Sequence, residues 1–216
     1  LSLTDCVTLG ITAPITQSGH LDDAGPIDIV GPAGKIHVEH GVMVPPDVRY
    51  SGELERGLVV VNGLAGRGRR LGADVVARVR DQVPLDLVGM GSEEAGGLGE
   101  VPHDRLPAFE ARYRFFFNPI RYTSLGLAVC EAMMIGMPIL GLATTEMVTA
   151  VENGVSGYVH TDVRCLVERM HELLADPAEA RRLGEGARRQ ARERFRIERF
   201  VDDWLDVFRL VTGRAR

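Results

Sequence analysis

The sequence predicts an α/β fold, in which a parallel sheet carries helices on both of its faces. Short apolar runs typical of buried strands occupy residues 58–61, 85–88 and 115–117. Each run is followed by a loop and then by a helical pattern of apolar residues. A strand, a helix and a second strand in this order form a βαβ unit, whose two strands lie parallel. Repetition of the unit along the chain therefore indicates one continuous parallel sheet.

Length and composition agree with one folded domain. A chain of 216 residues can bury one substantial core but is too short for two domains of this type. The apolar fraction of 45% and the net charge of -5 are typical of globular proteins. We therefore expect neither a disordered chain nor a nucleic-acid partner.

Two features indicate a cytoplasmic protein. No apolar segment approaches the roughly 18 residues that a membrane-spanning helix needs, so any membrane association is expected to be peripheral. The cysteines Cys6, Cys130 and Cys165 are odd in number and lack the paired spacing of metal ligands. Such cysteines are expected to be reduced thiols. We therefore predict neither a disulfide nor a metal site.

Residues 1–54 are predicted to be an irregular N-terminal segment. Residues 7–11 have the composition of a strand, but prolines and glycines interrupt the sequence through residue 34. Residues 36–42 alternate as in a strand and end in a turn. We expect loops here, or the remains of a region that joins two domains. The lack of an initiator methionine suggests a piece of a longer product.

A glycine-rich loop that carries arginine follows the strand at residues 58–61. Residues 63–72 read Gly-Leu-Ala-Gly-Arg-Gly-Arg-Arg-Leu-Gly, and a helix is predicted over residues 73–82. Glycines let backbone N–H groups approach a phosphate, while guanidinium groups neutralise its charge. The loop is therefore a candidate diphosphate site, although a flexible basic loop would have the same composition. The candidate diphosphate-binding residues of this loop are Gly63, Arg67, Arg69 and Arg70.

A second glycine-containing turn follows the strand at residues 85–88. Gly91 ends the sequence Gly-Met-Gly, and the lack of a side chain there permits close approach of a nucleotide. Farther along, residues 98–101 are predicted to form a short strand. A helix capped by His103 or Asp104 is predicted to follow it.

Residues 115–141 combine strand, loop, helix and second strand in a short stretch. The aromatic run closed by Asn-Pro predicts a buried strand, and the hydroxyls of Thr123 and Ser124 are predicted to cap the helix that follows. Pro138 excludes continuation of that helix, so a further strand begins after it. Hydroxyls, backbone N–H groups and the helix dipole meet at the start of the helix. This is an arrangement that binds phosphate.

Glu131 is the only charged residue of this helix. Its neighbours are apolar on nearly every face, which predicts a buried helix. A buried carboxylate costs several kcal/mol unless a partner binds it. Glu131 therefore either lies at an exposed edge of the helix or accepts hydrogen bonds from ligand hydroxyls such as those of a ribose.

The rest of the sequence predicts a short helix, a strand and three longer helices. Asp162 is predicted to cap a helix over residues 163–174, and a second helix is predicted over residues 177–194. The last helix, over residues 197–211, has a stripe of apolar residues at helical spacing.

The central segment, residues 119–138, together with residues 151–159, resembles the nucleotide-binding C-terminal half of family 4 GT-B retaining glycosyltransferases. The family pattern is Glu-Gly-Phe-Gly-Leu-x-x-x-Glu-Ala, then a small residue, Gly, x, Pro, and later Glu-Asp/Asn-Gly-x-x-Gly. Thr123 departs from it, because this residue stands where the family carries its first glutamate. The residues in matching places are Ser124, Leu125, Gly126, Leu127, Glu131, Ala132, Gly136 and Pro138.

The resemblance covers residues 55–212 and implies a Rossmann-like, nucleotide-sugar-binding domain that is one half of a GT-B fold. It assigns Glu131 and Thr123 to the catalytic site. It implies that the nucleobase contacts the backbone of Val101 and Pro102, and that the acceptor binds mainly to a missing N-terminal domain. No metal or cofactor is implied, because the nucleotide sugar is itself the substrate. Further donor-binding residues implied by the resemblance are Ser124, Leu125, Gly126 and Leu127.

The expected function is that of the donor-binding half of a glycosyltransferase. Such an enzyme would transfer a hexose from a nucleoside-diphosphate sugar to an acceptor with retention of configuration, and the isolated chain is expected to be inactive. Because Thr123 replaces a glutamate, altered donor choice, weakened activity and lost activity all remain open. The alternative is a non-catalytic nucleotide or nucleotide-sugar binding module. An epimerase-like GT-B protein would share the fold but resembles residues 119–138 less.

Overall fold

The computed structural model describes residues 27–31 and 34–212. In chain order the described strands are β1 (Ile27–Gly31), β2 (Gly34–Val38), β3 (Leu54–Val60), β4 (Leu85–Val88), β5 (Tyr113–Asn118), β6 (Ile139–Leu142) and β7 (Gly157–His160). The described helices are α1 (Leu64–Arg67), α2 (Ala73–Arg80), α3 (Leu106–Glu110), α4 (Leu127–Ile135), α5 (Met147–Ala150), α6 (Val163–Ala175), α7 (Pro177–Arg194) and α8 (Ile197–Thr212). Within these described ranges, 3₁₀ helices cover Gly68–Leu71 and Ser92–Ala95.

The predicted α/β fold with a parallel sheet is confirmed. Five strands form one sheet in the order β4-β3-β5-β6-β7, and every neighbouring pair is parallel. β5 occupies the centre, and each of its residues is buried. A strand covered on both faces needs a nearly continuous apolar run, which the aromatic residues 115–117 supply.

Helices cover both faces of the sheet. Alternate strand residues such as Phe115 and Phe117 share one apolar cluster with Val79 of α2 and Met170 of α6. The residues between them point to the opposite face because side chains alternate along a strand. There α4 packs against β5 and β6. This helix is apolar nearly all round because it lies between the sheet and other helices.

Arg114 joins three parts of the chain at the amino end of β5. It is only 4% exposed. Its Nε donates to the Gly52 carbonyl oxygen over 2.8 Å, and its Nη1 donates to the carbonyl oxygens of Leu173 and Leu174 over 3.2 and 3.0 Å. The Tyr50 hydroxyl donates to the Arg114 carbonyl oxygen over 2.7 Å, and burial raises the pKa of Tyr50 to about 12. These bonds stabilise the amino edge of the sheet, which is opposite to the carboxyl edge where a ligand is predicted to bind.

The chain divides into two compact units. One is Val44–Arg192, which contains the five-stranded sheet, and the other comprises the described residues through Met43 together with those from Glu193 onward. The predicted boundary between residues 54 and 55 stays a prediction, because the division into compact units does not test it.

The N-terminal part of the smaller unit is more regular than predicted. β1 and β2 pair antiparallel, with Ile27 opposite Val38, where loops were expected. The sequence Ile-Asp-Ile-Val at the start of β1 has the alternation of a strand, and this signal was overlooked. Residues 36–42, predicted as a strand, belong to β2 only through Val38. The predicted strand at residues 7–11 lies outside the described residues.

The same unit is held together by contacts to the C-terminal helices. Arg194 pairs with Glu39 at 2.7 Å, and the Val42 N–H donates to the Phe195 carbonyl oxygen over 2.9 Å. In addition, α8 packs against β2. The three predicted C-terminal helices are confirmed as α6, α7 and α8, and Asp162 caps α6 by accepting from the Arg164 N–H over 2.9 Å.

Two local predictions before β5 are wrong. Residues 98–101 form no strand, although the Leu98 N–H donates to the Leu87 carbonyl oxygen over 2.8 Å and so covers part of the edge of β4. The following helix begins at Leu106 and has no side-chain cap, whereas His103 or Asp104 was expected to cap it.

Among the helices of the described residues, none has both the length and the apolarity needed to cross a bilayer.

Candidate functional site

The loop between β5 and α4 lies at the carboxyl edge of the sheet and leads into a helix that no side chain caps. α4 begins at Leu127, and its N-cap residue Gly126 has an extended backbone. The predicted caps are therefore wrong, and the Thr123 hydroxyl donates instead to the Ser124 carbonyl oxygen over 3.0 Å. Because Gly126 has no side-chain acceptor, backbone N–H groups at this helix start must find other partners.

An acidic side chain binds the backbone just before this helix start. The Leu125 N–H donates to Oε2 of Glu146 over 2.8 Å. Glu146 follows β6, whose end lies beside that of β5 with Gly141 opposite Asn118. Neighbouring parallel strands thus bring a carboxylate to the start of α4, where the helix dipole favours negative charge. This contact was not predicted from the sequence, in which its only signal is an acidic residue placed after the end of a strand.

Glu131 lies on the second turn of α4 with 16% of its side chain exposed. Its Oε1 is 3.5 Å from Nε2 of His103, in the loop that contains Val101 and Pro102. Burial raises the pKa of the Glu131 carboxyl group, and the neighbouring His103 acts in the opposite direction. The structure therefore brings Glu131 together with the loop predicted to contact the nucleobase, and leaves the carboxyl group a narrow opening to solvent.

A second carboxyl group, which the sequence analysis missed, lies on the neighbouring helix. Glu110 of α3 is fully buried, and neither of its carboxyl oxygens has a hydrogen-bond partner among the described residues. α3 packs against α4. Burial, followed by the negative charge of Glu131, raises the pKa of Glu110 well above its ordinary value. Burial therefore favours the protonated, neutral form of Glu110 beside Glu131. Its signal in the sequence was a lone acid between Phe109 and Ala111.

The glycine-rich segment at residues 63–72 is not an open loop. It forms α1 and the 3₁₀ helix Gly68–Leu71. The Gly63 N–H donates to the Met90 carbonyl oxygen over 2.8 Å, which places Gly63 beside the turn that contains Gly91. A Cβ atom built on Gly63 or Gly91 would meet nothing within 4 Å. Both glycines therefore face open space at the carboxyl edge of the sheet.

The arginines of this segment lie next to the β5–α4 loop. Arg67 and Arg69 are exposed, while Nε of Arg70 donates to the Tyr122 carbonyl oxygen over 3.4 Å. In return, the Arg121 N–H donates to the Arg70 carbonyl oxygen over 3.2 Å, and Nη1 of Arg121 donates to the Arg69 carbonyl oxygen over 3.0 Å. The two segments predicted to hold the diphosphate therefore contact each other directly.

A cavity of about 370 Å³ lies elsewhere, along β4. None of the predicted site residues lines it. Within residues 27–31 and 34–212, no group of three acidic, histidine or cysteine side chains is placed to hold a metal ion, and independence of metal stays a prediction. The cavity is lined by Arg56, Arg80, Val83, Pro84, Leu85, Asp86, Leu87, Gly96 and Leu98.

Comparison with known proteins relates most of the chain to sugar transferases. A family model described as glycosyl transferase-like matches residues 69–206. The D-inositol 3-phosphate glycosyltransferase of Nocardiopsis dassonvillei is 28% identical over 157 residues, which cover 71% of this chain and 34% of that protein. The match to the family model, over residues 69–206, includes the β5–α4 loop, α4 and the segment that carries Glu146.

Solved structures show the same fold. Sucrose-phosphate synthase from Thermosynechococcus elongatus superposes with a TM-score of 0.66 at 21% identity, over 82% of this chain and 53% of that one. Anabaena HepE in complex with UDP superposes with a TM-score of 0.59 at 17% identity, over 72% of this chain and 49% of that one. These structures share the Rossmann-like half of GT-B glycosyltransferases with this chain.

The N-terminal part of the chain is similar to a different protein. A family model described as phosphate propanoyltransferase matches residues 1–87. The enzyme of that name from Thermotoga maritima is 33% identical over 95 residues, which cover 40% of this chain and 45% of that protein. The chain thus spans about half or less of the length of each of these relatives.

Proposed function

The chain belongs to the glycosyl transferase-like family, and from this premise we propose that it binds a nucleoside-diphosphate sugar at the carboxyl edge of its sheet. In this proposal the chain is the C-terminal, donor-binding half of a family 4 GT-B retaining enzyme. The enzyme transfers a hexose to an acceptor that binds mainly to a separate N-terminal domain. A cytoplasmic location accompanies this proposal as a prediction.

One observation supports the proposal above the others: four separately predicted donor segments lie at one edge of the sheet. The Gly63 segment contacts both the Gly91 turn and the β5–α4 loop, and Glu131 lies behind the start of α4 beside the loop of Val101. The carboxyl edge of a parallel sheet is where nucleotides bind in open α/β proteins. The UDP held by Anabaena HepE, which has the same fold, supports a nucleotide as the ligand.

The residues at this edge can neutralise a diphosphate without a metal. The Leu125 N–H donates to a carboxylate oxygen of Glu146, and this contact supports the proposal that backbone N–H groups here donate hydrogen bonds to an anion. Arg67 and Arg69 are exposed on the adjoining segment and can add charge-assisted hydrogen bonds. Fixed donors of this kind stabilise the negative charge that develops on a departing nucleoside diphosphate.

Glu131 is proposed to accept hydrogen bonds from ribose hydroxyls. Its carboxyl group is mostly buried and lies 3.5 Å from Nε2 of His103, and ribose hydroxyls would supply hydrogen-bond donors in addition to that imidazole. Thr123 has a hydroxyl instead of a carboxylate at the position that would contact the donor sugar. Its hydroxyl is engaged with the Ser124 carbonyl oxygen and would have to rotate to reach a sugar hydroxyl.

Calorimetric titration of the chain with uridine, guanosine and adenosine diphosphate sugars tests the proposal. We expect at least one to bind with a dissociation constant between about 1 μM and 1 mM, or roughly 4 to 8 kcal/mol. The Glu131→Ala variant should bind that ligand roughly tenfold or more weakly, because hydrogen bonds to a charged group contribute about 1.5–3 kcal/mol. Exposed Glu168 on α6 provides the control, since Glu168→Ala should bind like the parent chain. Equal affinity of the Glu131→Ala variant and the parent would remove Glu131 from the site.

The same variant separates transfer from binding alone. In the longest natural product that contains this sequence, a glycosyltransferase would release nucleoside diphosphate and form a glycoside, and Glu131→Ala would slow both. A non-catalytic binding module would bind the nucleotide sugar and form neither product. Binding without transfer by that longer product would therefore support the module.

The N-terminal similarity supports a second candidate function. Because residues 1–87 match the phosphate propanoyltransferase model, this part of the chain could belong to an enzyme that transfers a propanoyl group to phosphate. Phosphate-dependent formation of propanoyl phosphate from a propanoyl thioester would show that activity. Since the match covers 45% of the Thermotoga enzyme, the full activity would require residues beyond the matched part.

A further inference from the structure

The Glu146 carboxylate occupies a backbone N–H group at which a ligand phosphate is proposed to bind. Its Oε2 lies 2.8 Å from the Leu125 nitrogen, one residue before the N-cap of α4. An N–H group has one proton to donate. A phosphate oxygen can therefore take the hydrogen bond of Leu125 only when the carboxylate gives it up.

The turn that carries Glu146 is fixed to the same loop at a second point. The Thr144 hydroxyl donates to the Ile120 carbonyl oxygen over 2.9 Å. Between these two contacts, Thr145 has a left-handed backbone with φ 47°, which is uncommon for a β-branched residue. Such a conformation persists only where surrounding contacts impose it. The contacts to Ile120 and Leu125 thus hold the turn on the loop.

Electrostatics opposes two anions at this position. Glu146 is only partly exposed, so solvent screens its charge less than that of a surface carboxylate. A phosphate placed at the start of α4 beside the carboxylate would be repelled by it. The favourable interaction with the helix dipole would also have to be shared between two negative groups.

We propose that the Glu146 carboxylate competes with ligand phosphate for the Leu125 N–H, and so lowers the affinity of any ligand that places a phosphate there. The identity of the ligand as a nucleotide sugar rests on the proposed function, whereas the competition for the N–H does not. A small anion such as pyrophosphate must displace the carboxylate with few other contacts to offset the cost, so it binds the parent weakly. A whole nucleotide sugar incurs the same cost, but its base, ribose and hexose add contacts that offset it.

Titration of the parent chain, Glu146→Gln and Glu146→Ala with inorganic pyrophosphate tests the competition. We expect Glu146→Ala to bind pyrophosphate about tenfold more tightly than the parent, equivalent to about 1.4 kcal/mol. Glu146→Gln should bind with intermediate affinity, because the amide oxygen still accepts from Leu125 but carries no charge. Affinity for uridine, which has no phosphate, should be the same in all three proteins. Glu168→Gln removes the same charge from an exposed position on α6 and should leave pyrophosphate affinity unchanged.

The backbone amide resonance of Leu125 reports where the anion binds. In a nitrogen-15 correlation spectrum, pyrophosphate should shift this resonance in the Glu146 variants at concentrations that leave it unmoved in the parent. Unchanged or weaker pyrophosphate binding by both variants would overturn the inference. Glu146 would then only stabilise the β5–α4 loop through its hydrogen bond to Leu125. Glu146→Gln keeps the size and the hydrogen bond of the side chain, so it decides the result if Glu146→Ala does not fold.

The outcome for nucleotide sugars separates this inference from the proposed function. Tighter pyrophosphate binding by the variants, with no nucleotide sugar bound by any protein, would support the competition and overturn the proposed ligand. Nucleotide-sugar binding by the parent, with no gain of pyrophosphate affinity in the variants, would support the proposed ligand and overturn the competition.

Discussion

The Arg121 guanidinium group binds the Asp74 carboxylate through two hydrogen bonds, of 2.6 Å from Nη1 to Oδ1 and 2.8 Å from Nη2 to Oδ2. This pair ties the β5–α4 loop to the first turn of α2. The hydrogen bond from Arg121 lowers the pKa of Asp74. The stability that the pair contributes is therefore present above the ordinary Asp pKa and is lost as pH falls through the lowered folded-state pKa.

Asp74→Asn should have a small, pH-dependent effect. Because the Asp74 side chain is 52% exposed, solvent screening limits the loss in the free energy of unfolding at pH 7 to about 1 kcal/mol or less. Urea unfolding measured at pH 7 and at lower pH should show the variant and the parent converging on acidification. Asp81→Asn, an exposed change in the turn after α2, should match the parent throughout. A difference that persists at low pH would mean that the change disturbs α2 and not the pair.

Gly72→Ala should destabilise the chain strongly. Gly72 has φ 82°, and a Cβ atom there would collide with the Pro119 carbonyl oxygen. The strained backbone alone costs about 1–3 kcal/mol, and the collision adds to it by pushing the segment away from the β5–α4 loop. Thermal unfolding and nucleotide-sugar titration should both show the loss.

The matched control for that change is Gly66→Ala. Gly66 lies inside α1, and a Cβ atom there would meet nothing within 4 Å. Alanine favours a helix by up to about 1 kcal/mol over glycine, so this variant should be as stable as the parent or more stable. If both variants were equally destabilised, the segment would need glycine for a reason other than its approach to Pro119.

Glu110→Met should stabilise the chain at neutral pH. The Glu110 carboxyl group is buried without a hydrogen-bond partner among the described residues, and burial raises its pKa. The unfolded chain releases this proton above the ordinary Glu pKa, whereas the folded chain retains it, so stability falls as pH rises between the two values. Removing the unpaired polar group should raise the free energy of unfolding at pH 7 by about 1–3 kcal/mol.

Whether the gain in stability depends on pH distinguishes its cause. Chemical unfolding of the parent and of Glu110→Met should differ most at neutral pH and least near pH 4, where both states of the parent hold the proton. Glu185, on α7 and exposed, supplies the control Glu185→Met, which should not change the pH dependence. A gain that is constant from pH 4 to pH 7 would indicate better packing by Met and not the removal of an ionisable group.

His103→Ala should shift the pH dependence of ligand binding. His103 lowers the pKa of Glu131, which burial raises, so removing the imidazole should raise that pKa further. If the ionised Glu131 carboxylate accepts hydrogen bonds from the ligand, nucleotide-sugar affinity should decrease as the pH is lowered and the carboxylate becomes protonated. In the variant this decrease should begin at a higher pH than in the parent. Titrations across pH 5 to 8 measure this shift. Asp104→Ala, in the same exposed loop, should leave the pH profile unchanged.

The central part of the fold could be predicted because its signals are local. The apolar run ending at Asn118 and the turn before Pro138 fix strand, helix and strand without help from distant residues. The helix after Asp162 was predicted for the same reason, because its cap lies next to it in the sequence. Glu131 could be singled out because a lone acid in an apolar helix needs a partner.

The contacts that shape the site could not be predicted, because they join residues far apart in the chain. Glu146 meets Leu125 only because β6 pairs with β5. Glu110 is buried only because α3 packs on α4. The start of α4 was misplaced because the hydroxyl of Thr123 is a good capping group in sequence but binds the adjacent carbonyl in the structure.

The anchoring of Arg114 has a consequence for how this scaffold can vary. One guanidinium group serves three carbonyl oxygens in different directions, and a lysine ammonium on its flexible stem could not reproduce that planar fork. We therefore expect substitutions around Arg114 to be tolerated less well than substitutions in the exposed loops at the carboxyl edge of the sheet.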